Sequence, residues 1–177
     1  IITTIFQKCM TTIASLFGLE ELYHTVTIKY LNAVYPPQTM TEGIFPTGSR
    51  VFDALLSGYE GSILTTIYGP AGTGKTTVCL LAALASIRAG KKVIFIDTEG
   101  GFSSQRFQQL LQGEEVQPFL ERIFLLKPMT FSEQMKTLAR LKDLMNEQIG
   151  LIIVYSISML YRVEFGKHEG VKGINSE

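Results

Sequence analysis

Net charge is the first thing missing. The 177 residues carry 16 Lys and Arg against 16 Asp and Glu, so no overall basic field draws in nucleic acid. Any contact of that kind has to come from a local patch. Cysteine is nearly absent: Cys9 and Cys79 are isolated thiols, which gives no basis for disulfides or a zinc site and points to a reducing, cytoplasmic setting. Histidine is scarce too. His24 is one of two, has no companion at metal-ligand spacing, and is read as structural. No uninterrupted apolar run reaches the ~20 residues a membrane span needs. Internal repeats and low-complexity tracts are lacking. What the chain does have is apolar bulk, 46% hydrophobic against 18% charged residues, enough for one sizeable core. It opens on Ile1 and closes on Ser176-Glu177 without a final element, a pattern expected of a fragment or a cleavage product.

One stretch carries clear chemistry. Gly69-Pro70-Ala71-Gly72-Thr73-Gly74-Lys75-Thr76-Thr77 matches the phosphate-loop pattern G-x-x-x-x-G-K-[ST] at every fixed position. Ile63 to Tyr68 before it reads as a buried strand, and Thr76 to Ala89 after it as a helix. Glycines let the backbone wrap so that successive N–H groups point at phosphate oxygens. The helix N-terminus adds partial positive charge. Lys75 would reach the outer phosphates, and the Thr76 hydroxyl would hold Mg²⁺. A glycine-rich turn with an accidental Lys-Thr is the bland alternative.

The rest of the chain frames that loop. Residues 1–22 show helical apolar spacing at Ile5, Cys9, Ile13, Leu16 and Phe17. A packed amphipathic helix, a partner-binding helix and an uncleaved signal or membrane segment all remain open there. Residues 23–35 read as strand or helix, and Pro36-Pro37 starts a linker. The expected division is therefore an N-terminal apolar segment and linker at 1–43 and a nucleotide-binding core at 44–177. Ser49 is a candidate N-cap for a short helix whose apolar face is Phe52, Leu55 and Leu56. Gly58 and Gly61 turn into the first core strand. Val78 to Ile87 is apolar nearly all round and should be buried, with Cys79 as a small core hydrophobe. Gly90 stops that helix. Val93–Ile96, Ile123–Leu126 and Leu151–Val154 read as further strands, and Gln105–Gln112 as a short helix. Thr130-x-x-Glu133 is a capping box for a helix striped by Met135, Leu138, Leu141, Leu144 and Met145, ended by Gly150. Alternating strands and helices imply an α/β fold, a parallel sheet covered by helices on both faces.

Asp97 and Glu99 follow directly on a strand, which places them at the sheet's carboxyl edge beside the phosphate loop. A carboxylate there either polarises the water that attacks a γ-phosphate or satisfies loop N–H groups. Arg106 pairs with one of them or with a nucleotide.

With these motifs in order, the chain resembles the RecA/RadA recombinase ATPases, and most closely their small archaeal RadB branch. The matching pieces are Pro46-Thr47-Gly48-Ser49-Arg50-x-x-Asp53-x-Leu55-Leu56, Tyr68 to Thr77, and Asp97-Thr98-Glu99-Gly100-Gly101-Phe102-Ser103. Gln105-Arg106-Phe107, Leu151 to Ser156 and Tyr161-Arg162 continue the match to about residue 165. The resemblance implies a RecA-like P-loop core that binds ATP with Mg²⁺ and serves DNA recombination and repair. It implies Glu99 as catalytic base alongside Lys75, Thr76 on Mg²⁺, and Arg106 near the adenine. It also implies single-stranded DNA as a partner through Lys167, His168 and Lys172, which a solvated charged tail explains as readily. Recombinase or other repair proteins, a homo-oligomer and no membrane complete the expected partners.

Three departures qualify it. The family's aspartate after the fourth strand, which helps order Mg²⁺, is replaced here by Tyr155, a neutral and bulky phenol. Weak Mg²⁺ coupling and slow hydrolysis with retained nucleotide binding are therefore expected. The chain stops before the family's last helix and strands, so the core is expected to be short at its C-terminus. Residues 1–43 do not resemble the family's helix-hairpin-helix domain, and the sequence holds no Phe-x-x-Ala polymerisation motif. Those departures keep a hydrolytically inactive regulatory module, acting through protein partners, as the alternative. A small-molecule kinase using the same loop is a weaker third.

Overall fold

Side-chain alternation sets the layers of this molecule. The computed structural model describes residues 43–61, 63–164 and 166 together with the backbone of 24–30. In β5 (Lys92–Asp97), Val93 and Phe95 face one apolar cluster, while Ile94 and Ile96 face a second on the opposite side. In β7 (Ile149–Tyr155), Leu151, Ile153 and Tyr155 join the first cluster, and Ile152 and Val154 join the second. A strand buried on both faces must be apolar at every position, and all seven residues of β7 are buried.

Helices cover both faces. On the first lies α2 (Lys75–Arg88), whose Cys79, Leu80, Ala82, Ala83, Leu84 and Ile87 are buried. Burial pushes the Cys79 thiol far up, which leaves it protonated as a small core hydrophobe. The short helix α3 (Ser104–Leu110) adds Phe107 to this layer. On the second face lies α5 (Phe131–Leu144), packing Leu138 and Leu141. Thr130 caps it by accepting from Glu133 N–H at 3.2 Å, and Glu133 Oε2 accepts from Met129 N–H at 2.8 Å. Leu144, expected in the apolar stripe, is 42% exposed, because the helix ends there.

The main sheet has the order β4-β1-β7-β5-β6, with β1 at His24–Tyr30, β4 at Leu64–Gly69 and β6 at Ile123–Leu126. β5 runs parallel to β6 and to β7. β1 is antiparallel to both β4 and β7, so β4 points the same way as β7. The four core strands thus share one direction, as the sequence implied. The segment ahead of the Pro36-Pro37 linker nevertheless contributes a strand, inserted between β4 and β7. That insertion makes the sheet mixed rather than purely parallel. The apolar segment 1–22 lies outside the described residues.

Several local readings differ from the structure. β4 is half exposed rather than buried, since it forms an edge of the described sheet. Gly150 does not end α5, which stops at Leu144; it lies inside β7. A Cβ there would sit 2.7 Å from the Lys91 Cβ, so close approach of two chains explains the glycine. Ser49 does cap α1 (Arg50–Leu56), accepting from Phe52 N–H. Yet Phe52, Leu55 and Leu56 are 37%, 72% and 61% exposed, and no residue of α1 is buried. A two-stranded ribbon, β2 (Ile44–Phe45) with β3 (Tyr59–Glu60), and a one-turn helix α4 (Gln117–Leu120) were not legible as elements. Each is too short to show a period.

Candidate nucleotide site

Because β4, β5 and β7 run in one direction, Gly69, Asp97 and Tyr155 end at the same sheet edge. The phosphate loop leaves β4 and enters α2 through Gly74, which takes φ +90° at the N-cap. Only glycine adopts that conformation without strain. The first N–H groups of α2 have no partner within the helix, and its dipole is positive at this end. Lys75 is 7% exposed. Its ammonium donates to Gly69 O at 2.8 Å and Pro70 O at 2.6 Å, so the side chain folds back along its own loop. Thr73 Oγ1 also donates to Pro70 O, at 2.9 Å. A phosphate entering here would take the ammonium from two carbonyls.

Strand alternation turns Tyr155 toward α2. Its hydroxyl and that of Thr76 lie 2.7 Å apart. The phenol is held above its ordinary pKa chiefly by burial; the Thr76 hydrogen bond opposes this, and the charge of Glu99 followed by weaker neighbours adds to it. It is neutral at pH 7. Its ring lies over Gly101, where a Cβ would collide with Tyr155 Cε1. Gly101→Ala is therefore expected to lower stability by about 1–3 kcal/mol with Tyr155 present. In a Tyr155→Ala background the same change should cost less than about 0.5 kcal/mol. Urea denaturation of the four-variant cycle measures the difference, and equal costs would mean that the ring does not occupy this place.

The two acidic candidates separate. Asp97 is buried, and its carboxylate accepts from Gly101 N–H and Phe102 N–H, both at 3.0 Å. It holds the loop that follows β5. Glu99 is half-buried and close enough to Tyr155 for its charge to act on the phenol. Arg106 is exposed, and its guanidinium donates to Thr77 Oγ1 at 3.3 Å rather than pairing with either carboxylate. Lys75, Thr76, Glu99 and Tyr155 thus meet at one edge, with Arg106 at the rim. Lys167, His168 and Lys172 lie outside the described residues.

Sequence reasoning missed Thr98 and Gln134. The Thr98 hydroxyl accepts from Ser156 N–H at 2.8 Å and donates to Ser156 O at 2.7 Å, tying the end of β5 to that of β7. Gln134 is 1% exposed and donates to Ile157 O at 2.9 Å, tying α5 to the same turn. The one available signal for Gln134 was a polar residue beside Met135 and Leu138, directly after a helix cap.

The residues present do not fit a protein-held Mg²⁺. Thr76 is paired with a neutral phenol, both Asp97 oxygens serve backbone N–H groups, and Glu99 is left as a single carboxylate. No group of three His, Cys, Asp or Glu able to hold a metal occurs among the described residues. At a nucleotide Mg²⁺ is otherwise held by one or two carboxylates together with phosphate oxygens and water, and position 155 brings a neutral phenol in place of a carboxylate.

The Rad51 family model matches residues 42–172. The chain belongs to the Rad51 family. Its fold is accordingly the RecA-like P-loop α/β core, and its relatives are of the RadB type. It is 42% identical over 122 residues to the DNA repair and recombination protein RadB of Methanoculleus marisnigri, covering 67% of this chain and 54% of that protein. It is 44% identical over 115 residues to RadB of Methanococcus maripaludis strain C7, covering 64% and 52%. RadB of Thermococcus sibiricus is 42% identical over 121 residues, covering 67% and 52%. Among solved structures, a crystal structure of the RadB recombinase aligns with a TM-score of 0.48 and 31% identity, over 60% of this chain and 48% of that one. This Rad51-family chain spans about half the length of the curated relatives it matches. Among the described residues no helix is long and apolar enough to cross a membrane.

Proposed function

We propose that this chain is the ATP-binding core of a RadB-like protein of DNA recombination and repair, one that holds ATP on residues 69–77 and hydrolyses it slowly. The observation that carries the reading is the convergence of buried Lys75, the α2 N-terminus and Glu99 at one sheet edge. Backbone N–H groups and the ammonium bind the phosphates. Glu99 orients and deprotonates the attacking water. Arg106, at the rim, contacts the base. The partners that follow from the family are single-stranded DNA and recombinase or other repair proteins, with Lys167, His168 and Lys172 as DNA phosphate contacts. A homo-oligomer and a cytoplasmic setting belong to the same reading.

One observation favours a second reading. The Thr76–Tyr155 hydrogen bond occupies the hydroxyl that hydrolysis would use, which suits a nucleotide-binding regulatory module acting through protein partners. ATP turnover with and without single-stranded DNA, over a salt series, decides between the two. The first reading expects slow turnover that DNA raises, with stimulation fading as salt increases because displaced counterions drive the contact. Bound ATP without turnover in either condition selects the regulatory module. Absence of ATP binding rules out both.

A further inference from the structure

We propose that the site takes its nucleotide as the metal-free anion, with the hydroxyls of Tyr155 and Thr76 serving a phosphate oxygen where a metal-holding carboxylate would stand. This rests on the nucleotide-binding half of the function proposed above and goes beyond it in naming the ionic form of the ligand.

Tyr155 and Thr76 each bring one O–H proton, and the 2.7 Å contact between them consumes one. The other is left to donate outward. It lies beside the positive end of α2 and next to the residue that carries the Lys75 ammonium. A hydroxyl donor adds to that anion site. A carboxylate in the same place would oppose it, unless a cation lay between.

Charge points the same way. Asp97 and Glu99 already act on Tyr155 electrostatically. A third carboxylate at position 155 would build a cluster that needs a cation. The phenol removes that need, and Asp97 settles its own charge on two backbone N–H groups. The ring occupies the space over Gly101 that any Cβ would fill, so the hydroxyl is held against Thr76 rather than left to swing.

Titration calorimetry of the chain with ATP, once in excess EDTA and once in excess Mg²⁺, tests the idea. The parent should bind in EDTA within about threefold of its affinity in Mg²⁺. Thr76→Val with Tyr155→Phe, which removes both donors, should lower the EDTA affinity about tenfold. Tyr155→Asp should bind poorly in EDTA and recover in Mg²⁺ by about tenfold or more. A parent that loses ten times or more of its affinity in EDTA overturns the inference, as does a double variant that binds in EDTA like the parent. The parent's EDTA-to-Mg²⁺ ratio needs no variant to fold. If ATP fails to bind under both conditions, the nucleotide reading itself falls. Binding that is strong only with Mg²⁺ sinks the metal-free form alone.

Discussion

Lys75→Ala is expected to reduce ATP affinity about a hundredfold or more. The ammonium is nearly fully buried at the tip of the sheet and already holds two loop carbonyls at 2.8 and 2.6 Å. In so dry a place a charge-assisted bond to a phosphate is worth far more than at the surface. The substitution also leaves the carbonyls of Gly69 and Pro70 without this donor, so stability should fall by about 1–3 kcal/mol. Thermal unfolding in the absence of nucleotide separates that cost from the loss of binding. An alanine variant that folds and binds ATP within about threefold of the parent would remove the phosphate site from residues 69–77.

Tyr155→Asp should raise ATP turnover in Mg²⁺ by about tenfold or more, the scale of a single positioned catalytic group. The phenol now ties up Thr76 and brings no charge. An aspartate frees that hydroxyl and adds the anionic oxygen that the site lacks. The change has a predictable side effect. It sets a new negative charge near Glu99 and Asp97, whose charges already act on residue 155. Thermal stability should therefore drop in EDTA and recover when Mg²⁺ is added. Adding Glu99→Gln to Tyr155→Asp should cancel the gain in turnover while leaving binding in place. A gain that survives the glutamine would mean that Glu99 is not the base. No gain at all would mean that residue 155 does not limit the rate.

What is legible in the sequence is local. The strand–loop–helix frame around Lys75, the Thr130 cap, the Ser49 cap and the strands at 93–96, 123–126 and 151–154 each depend on residues within a few positions of one another. Backbone conformation, capping and apolar runs act over that range. The two glycines near the site show the limit. Gly150 reads as a helix stop and Gly101 as part of a loop motif. Their reasons lie with Lys91 and Tyr155, each more than fifty residues away. The exposed face of α1 shows it from the other side, since helical spacing says which residues share a face but not what lies against it.

The sequence alone determined that a glycine-rich loop ending in Lys75-Thr76 sits between a strand and a buried helix, that Glu99 follows the next strand, and that residue 155 is a tyrosine. Tertiary structure decided that His24–Tyr30 enters the sheet, that Asp97 holds the loop after β5, and that the Tyr155 hydroxyl meets Thr76. Short-range geometry is written in neighbouring residues. The partner of a side chain across 79 positions is set only when strand direction and alternation bring two distant segments to one edge.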